Sequence, residues 1–271
     1  MHLAPVVGMS SPPAMPAGAS GEPAERRAVP ADTPVVRRPF WHPGSLIALA
    51  RGRPLIVAVL LLAVIFSLLT LIVIRGDLLP TSWDIAVTHA IQGIPLVPVG
   101  QLLVWVSAPG FSPWTYLIPA VVVLFMLFQR WVTEAWFTAL AAAGGVLSEL
   151  VKQVIDRPRP TPEFVNVYAE LHSYSFPSGH VTGYTMFYGF LFYLAFTLLP
   201  RRSAARWVVL AVCGVMVALV GVSRVYMGQH WASDAMAGYA LGFAYLLLLI
   251  EIYRIVLKRR AARRQQPETE A

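Results

Sequence analysis

PLIVAVLLLAVIFSLLTLIVI, residues 54–74, decides the fold class. Its 21 residues carry no charge, and Arg51, Arg53 and Arg75 flank it. A helix rises 1.5 Å per residue, so about 20 apolar residues cross a hydrocarbon core of roughly 30 Å. This stretch reads as a membrane span. The 271-residue chain agrees with that reading throughout, being 57% hydrophobic and only 13% charged.

Working outward, further spans are expected at about 113–129, 133–153, 181–199, 207–222 and 235–257. The result is an all-α polytopic membrane protein with six transmembrane helices. Residues 76–112 form a long connection whose apolar part, 95–108, is short and flanked by prolines, so amphipathic or re-entrant helices are expected there. Residues 1–45 are rich in Pro, Ala, Gly and Ser, without apolar periodicity, and read as a disordered cytoplasmic tail. They lack the basic, apolar and small-residue order of a signal peptide, and Met9 and Met15 leave a later start open. Residues 46–257 then form the six-span domain, and 258–271, KRRAARRQQPETEA, a basic cytoplasmic tail.

The formal charge of +7 could suggest nucleic acid, but Lys and Arg stand mainly at the ends of apolar spans, where they orient a membrane protein. No nucleic-acid partner is expected. Six spans put Arg51, Arg53, Arg130, Arg201, Arg202, Arg206 and the Lys258–Arg264 cluster on one face. By the positive-inside rule that face, with both termini, is cytoplasmic. A seventh span at 95–108 would divide these cations between the two faces. Cys213 is the only cysteine, so no intrachain disulfide exists.

Against this bias, Lys152, Arg157, Arg159 and Arg224 fall on the outer face with His180, His230 and Asp234. They belong to three segments, KQVIDRPRP (152–160), SFPSGHVT (175–182) and SRVYMGQHWASD (223–234). Lys and Arg offer a point charge and a planar fork of donors to a phosphoryl group, whose transfer depends mostly on positioning and charge stabilisation. Lys152, Arg159 and Arg224 suit that task. The Ser178 hydroxyl and backbone N–H groups near Gly179, at the start of a span, favour an anion as well. A neutral imidazole is a nucleophile when its other nitrogen is oriented, and His230 and Asp234 are four residues apart, on one face of a helical turn. The second histidine, His180, can protonate a departing alkoxide and later activate water. One Lys or Arg alone would more simply snorkel to headgroups, but the joint set asks for a ligand.

The three segments, written K-x6-R-P, P-S-G-H and S-R-x5-H-x3-D, resemble position for position the signature of the type 2 phosphatidic acid phosphatase superfamily. That superfamily includes membrane lipid phosphate phosphatases and soluble vanadium haloperoxidases. The resemblance implies a six-span helical bundle over residues 54–257, with His230 as nucleophile, Asp234 as its orienting group and His180 as acid and base. Lys152, Arg159, Ser178, Gly179 and Arg224 would hold the phosphate, with neither metal nor cofactor. Glu149, Pro160, Pro177 and Ser223 are candidate supporting positions. The implied substrate is a lipid phosphate or diphosphate of the phosphatidic acid, phosphatidylglycerophosphate or undecaprenyl diphosphate class. It would be hydrolysed in the cell membrane at the extracytoplasmic face. A phosphotransferase would use the same phosphohistidine. A transporter would place ionisable residues near mid-span, where this chain has almost none.

Other residues carry weaker expectations. Asp156 and Arg157 are expected to pair within their loop, and Glu149 with Lys152. Trp114, Tyr226 and Trp231 are expected to be interfacial anchors or to line a lipid path. Glu163, Glu170 and His172 either touch a headgroup or are solvated.

Overall fold

The computed structural model describes residues 54–94 and 97–265. The expected tail at 1–45, Arg51, Arg53 and residues 266–271 lie outside them. Among the described residues every regular element is helical. The helices are α1 (Pro54–Arg75), α2 (Ser82–Gln92), α3 (Val97–Ser107), α4 (Trp114–Phe128), α5 (Val132–Ala143), α6 (Gly145–Lys152), α7 (Gly179–Leu198), α8 (Ala204–Tyr226) and α9 (Ala232–Gln265). A single 3₁₀ turn, Ala108–Gly110, follows α3.

Local chemistry explains several of these limits. Proline opens α1, where its missing N–H costs nothing, and Arg75 closes it at the negative end of the helix dipole. The chain then reverses through Asp77 and Leu78, both left-handed at φ 52° and 63°. Thr81 starts α2 in a reciprocal cap. Its hydroxyl accepts the Asp84 N–H, and Asp84 accepts the Thr81 N–H.

Among the described residues, length and composition single out fewer spans than the six expected. Four helices, α1, α7, α8 and α9, are long and apolar enough to cross a membrane. A fifth crossing results if Pro98–Gly110 and Trp114–Phe128, bent by 66°, are taken as one broken span. The stretch 113–129 yields only the 15-residue α4. The stretch 133–153 is likewise divided, at Gly144, into the shorter α5 and α6. Apolar composition reads these segments as continuous oil, whereas two glycines in sequence at 144 and 145 remove the helix preference that would carry one through. From residue 97 the apolar stretch expected at 95–108 forms α3 and the 3₁₀ turn that bends into α4, an arrangement open to a broken span as well as to a re-entrant loop.

Helix α7 is central, packed against α8, α9 and α5, while α1 lies along α9 and α3 along α8. Phe190, Leu194, Leu246, Leu249 and Tyr253 join α7 to α9 with Phe137 of α5, and Val181, Tyr184, Cys213 and Val220 join α7 to α8. Large side chains on α1 such as Leu60, Leu61 and Leu68 are exposed in the bare protein, as expected where lipid is the solvent. Small residues set the α7–α9 approach. A Cβ on Gly238 would stand 3.0 Å from the Ser178 carbonyl, and one on Gly242 would stand 2.7 Å from the Thr185 Cβ. These two glycines four apart allow the close crossing that membrane helices favour.

The C-terminal ends of α6 and α8 and the N-terminal ends of α7 and α9 thereby meet at one end of the bundle. The loop carrying Arg201 and Arg202 and the basic end of α9 lie at the other.

Gly242→Val should force α7 and α9 apart and lose about 1–3 kcal/mol through overpacking. Gly183→Ala, where an added Cβ meets no atom within 4 Å, should not. Thermal unfolding in detergent distinguishes the two, and equal melting temperatures would contradict the packing described.

Candidate active site

Where the four helix ends meet, a cavity of about 630 Å³ opens. Lys152, Arg159, Arg224, Gly179, His180 and His230 all line it. The structure therefore brings together side chains separated by up to 78 residues in sequence, counted from Lys152 to His230.

Each cation is delivered differently. Lys152 ends α6, is nearly buried, and donates from Nζ to Glu149 Oε1 at 2.7 Å, the pair expected one helical turn apart. Arg159 leaves an extended Pro-rich segment and donates to the Ser173, Tyr174 and Gln229 carbonyls. Arg224, fully buried near the end of α8, lies over the Phe111 ring at 5.1 Å. Its one hydrogen bond runs from NH1 to Ser107 Oγ at 3.4 Å, and its Nε has no partner. Ser223 does not face the cavity. It bonds Ser107 at 2.6 Å and the Leu103 carbonyl, locking α3 to α8 and holding Ser107 beside Arg224.

Helix α7 starts at the cavity. The Ser178 N–H is committed to the Asp234 carbonyl at 3.1 Å, so the backbone donors open at this helix start are the N–H groups that follow it, as in any first helical turn. The Ser178 hydroxyl caps nothing and, buried, has no partner. His180 Nε2 is likewise buried without a partner. Its ring meets Phe111 edge-on at 4.8 Å and stacks on Tyr184 at 6.2 Å. Gly110 touches the same ring, and a Cβ there would collide with it. Pro160 and Pro177 are buried behind the two segments.

His230 sits in the short link between α8 and α9. Arg159 NH1 lies 3.2 Å from Nε2. A guanidinium can only donate, so Nε2 must present its lone pair and the ring proton belongs on Nδ1. Nδ1 faces Ser175 Oγ at 3.4 Å and Asp234 Oδ2 at 3.7 Å. Asp234 heads the first turn of α9, and its Oδ2 accepts the Ser175 hydroxyl at 2.5 Å and the Trp231 N–H at 2.9 Å. The helix begins only after His230, so the expected i,i+4 pair is looser than a regular turn would make it, and Ser175 occupies the gap. Burial holds the His230 pKa well below its ordinary 6.5, and Arg159, Arg224 and Lys152 push it the same way. The ring is neutral at pH 7. Burial also lowers the Arg159 pKa, against the pull of Asp234 and Glu149.

Two sequence expectations need correction. Arg157 does not pair with Asp156, which is exposed. It is fully buried and bridges Asp84 and Asp234 at 2.8 and 2.6 Å. Trp231 is no interfacial anchor. It is buried, with Nε1 directed at the Pro158 carbonyl and Phe164 packed on its ring, because the 158–174 loop folds over it. Glu163, Glu170 and His172 are exposed and touch nothing in the cavity. Trp114 is exposed and Tyr226 half-buried. Sequence reasoning missed Ser175, although it opens the SFPSGHVT stretch, and it missed Asp84, whose T-x-x-D capping pattern was the available signal. Among the described residues no group of three His, Cys, Asp or Glu side chains could hold a metal ion.

Residues 133–258 match the family model described as PAP2 superfamily. Phosphatidylglycerophosphatase B of Bacillus subtilis is 32% identical over 171 residues, which cover 62% of this chain and 82% of that protein. Lipid A 1-phosphatase of Rhizobium etli is 31% identical over 134 residues, covering 47% of this chain and 53% of that protein. Among solved structures, a transmembrane PAP2 type phosphatidylglycerolphosphate phosphatase from Bacillus subtilis superposes with a TM-score of 0.61 at 24% identity. The match covers 73% of this chain and 96% of that one. At that identity the likeness concerns the fold.

A depressed pKa keeps the ring neutral as pH falls until the depressed value is reached. In ¹⁵N-histidine spectra His230, assigned by its loss in His230→Gln, should therefore stay an Nδ1–H tautomer well below pH 6.5. Lys152→Met removes one depressing cation and should raise the midpoint towards 6.5. A midpoint at or above 6.5 in the unaltered protein would contradict this electrostatic account.

Proposed function

This chain belongs to the PAP2 superfamily, and we propose that it is an integral membrane phosphatase that hydrolyses a lipid phosphate or diphosphate through a phosphohistidine at His230. The observation that carries this reading is the neutral His230 ring, with Nε2 turned to a cavity edged by Lys152, Arg159 and Arg224. A second feature supports a lipid. Beyond the cations the same cavity runs between α4, α5, α6 and α7, past Ile118, Pro119, Ala142, Val146 and Phe187. Phosphate chemistry at one end and apolar walls at the other suit a headgroup with its tail.

In the proposed first step, His230 Nε2 attacks phosphorus, the N–P bond forms and the bond to the lipid oxygen breaks. Arg159, which covers the Nε2 lone pair, transfers its donors to the phosphoryl oxygens, which are better acceptors. Lys152, Arg224, the Ser178 hydroxyl and the first N–H groups of α7, beginning at Gly179, take the remaining charge. His180, which takes up a proton when the anionic substrate offsets the surrounding cations, gives that proton to the departing oxygen. In the second step His180 accepts a proton from water, whose oxygen attacks phosphorus. The N–P bond breaks, phosphate leaves and His230 is restored. Asp234 and Ser175 hold the Nδ1 proton while the ring is cationic. Charge stabilisation comes from the cations, so the reaction is proposed to need no metal.

The site end of the bundle is opposite the basic α7–α8 loop and the basic end of α9. By the positive-inside rule the proposed active site is extracytoplasmic, within a bundle whose proposed six spans include α4 and the α5–α6 pair as short crossings. The substrate is proposed to be of the phosphatidic acid, phosphatidylglycerophosphate or undecaprenyl diphosphate class.

Purified protein in detergent, given a panel of these lipids, should release inorganic phosphate with EDTA present. No release from any lipid phosphate would overturn the reading, and transfer to an added alcohol or sugar in place of water would make the protein a phosphotransferase. His230→Ala should abolish both turnover and trapped phosphoenzyme. His180→Ala should slow release of a glycerolipid alkoxide by about 10²–10⁴-fold, the usual loss with a general acid. With an activated leaving group it should still give a burst of product and an accumulating phosphoenzyme. A burst from His230→Ala and none from His180→Ala would reverse the two roles.

A further inference from the structure

Behind Asp234, on the side away from His230, lies a buried polar network that the steps above leave without a task. Arg157, at 0% exposure, has an acceptor for each of its five N–H groups. Nε donates to the Leu78 carbonyl, and NH1 to Ser233 Oγ and Asp234 Oδ1. NH2 donates to the Leu79 carbonyl and Asp84 Oδ2. Asp84, also at 0%, accepts the Ser233 N–H and hydroxyl on Oδ1 at 2.9 and 2.7 Å. Thr81 holds the other oxygen of Asp84 through its N–H and hydroxyl.

We propose that Asp84 and Arg157 are positioning residues for the reaction, fixing the Asp234 carboxylate in the orientation from which it acts on His230. The inference rests on His230 as nucleophile. Neither Asp84 nor Arg157 lines the cavity, so neither binds the phosphate. Arg157 takes Oδ1 of Asp234 and leaves Oδ2 for Ser175, the Trp231 N–H and the His230 ring. Asp84 in turn orients Arg157 and pins Ser233, so two consecutive residues at the head of α9 are held from α2.

Charge points the same way. Two carboxylates against one guanidinium leave one formal negative charge buried beside the ring. When Nε2 bonds to phosphorus and Nδ1 keeps its proton, the ring becomes cationic, and that negative charge lies next to it. A network that only tied α2 to α9 would be replaceable by apolar packing, which often does as well as buried ion pairs or better. The left-handed Leu78, a conformation unfavourable for a non-glycine residue, presents its carbonyl to Arg157.

The test uses the full chain in detergent and four variants: Arg157→Met, Arg157→Lys, Asp84→Asn and the double Arg157→Met/Asp84→Asn. Arg157→Met should lower kcat for a lipid phosphate by roughly 10–100-fold, the usual loss with a group that orients a catalytic one. KM should change by less than about threefold, because the phosphate-binding cations are untouched. Arg157→Lys, which keeps the charge but not the fork, should fall between. The double variant removes one of the two carboxylate charges that Arg157→Met leaves unpaired and should be no worse than Arg157→Met, since the two residues act as one unit. Thermal unfolding identifies any variant that fails to fold, and the double variant then carries the test.

A second readout needs no substrate. In ¹⁵N-histidine spectra the Nδ1–H signal of His230 should give way to a tautomer mixture in Arg157→Met and in the double variant, while His180 is unmoved. If the unaltered protein hydrolyses no lipid phosphate, the phosphatase reading fails, and the His230 spectra still decide the positioning claim. Folded variants with unchanged His230 signals and kcat within about twofold of the parent would overturn it.

Discussion

A guanidinium with no exposed surface, held between two equally buried carboxylates, is the interaction on which the candidate-site end of this protein depends. Removing one partner of such a buried group typically costs about 3–5 kcal/mol, because the charge left behind has neither water nor a counter-ion. That penalty makes the arrangement all-or-none. Arg157 can be buried only if α2 supplies Asp84, the turn after α1 supplies two carbonyls, and the head of α9 supplies Ser233 and Asp234. Four parts of the chain are thus brought into register by one side chain.

In front of that network the accounting of polar groups is the opposite. Ser178 Oγ, His180 Nε2 and Arg224 Nε are buried without partners, although protein interiors satisfy nearly all such groups. His180 and Arg224 line the cavity with Lys152 and Arg159, and Ser178 immediately precedes Gly179 of its lining. A satisfied back wall and an unsatisfied front are what a site for a charged oxygen-rich group requires. The wall holds His230 still, and the front has donors to give. The aromatic and glycine contacts serve the same purpose, since Phe111 and Tyr184 flank His180 while Gly110 lets the backbone touch its ring.

The bundle supporting this site is built by close approach more than by hydrophobic drive, because lipid tails are as apolar as the helices facing them. Gly238 and Gly242 bring α9 against α7, and His180 and Asp234, at the starts of those two helices, are set by that crossing. The bend between α3 and α4 places Phe111 beside both His180 and Arg224.

Much of this was legible in the residues themselves. Membrane helices announce themselves by length and composition, so α1, α7 and α8 fall within a few residues of the expected spans, while α9 continues eight residues past its expected end at 257. The cations and histidines of the candidate site were visible as charges placed against the topological bias, and Lys152, Arg159, His180, Arg224 and His230 do meet around one cavity. Apolar content did not show that the 133–153 stretch breaks at Gly144, because it does not register the helix preference lost at two adjacent glycines. Nor could spacing show that Arg157 turns from Asp156 towards Asp84 and Asp234, 73 and 77 residues away. A periodic pattern records which residues share one face of one helix. Which buried charge meets which is decided only when separate helices pack, since the cost of leaving any charge unpaired is levied on the whole assembly and not on the local sequence.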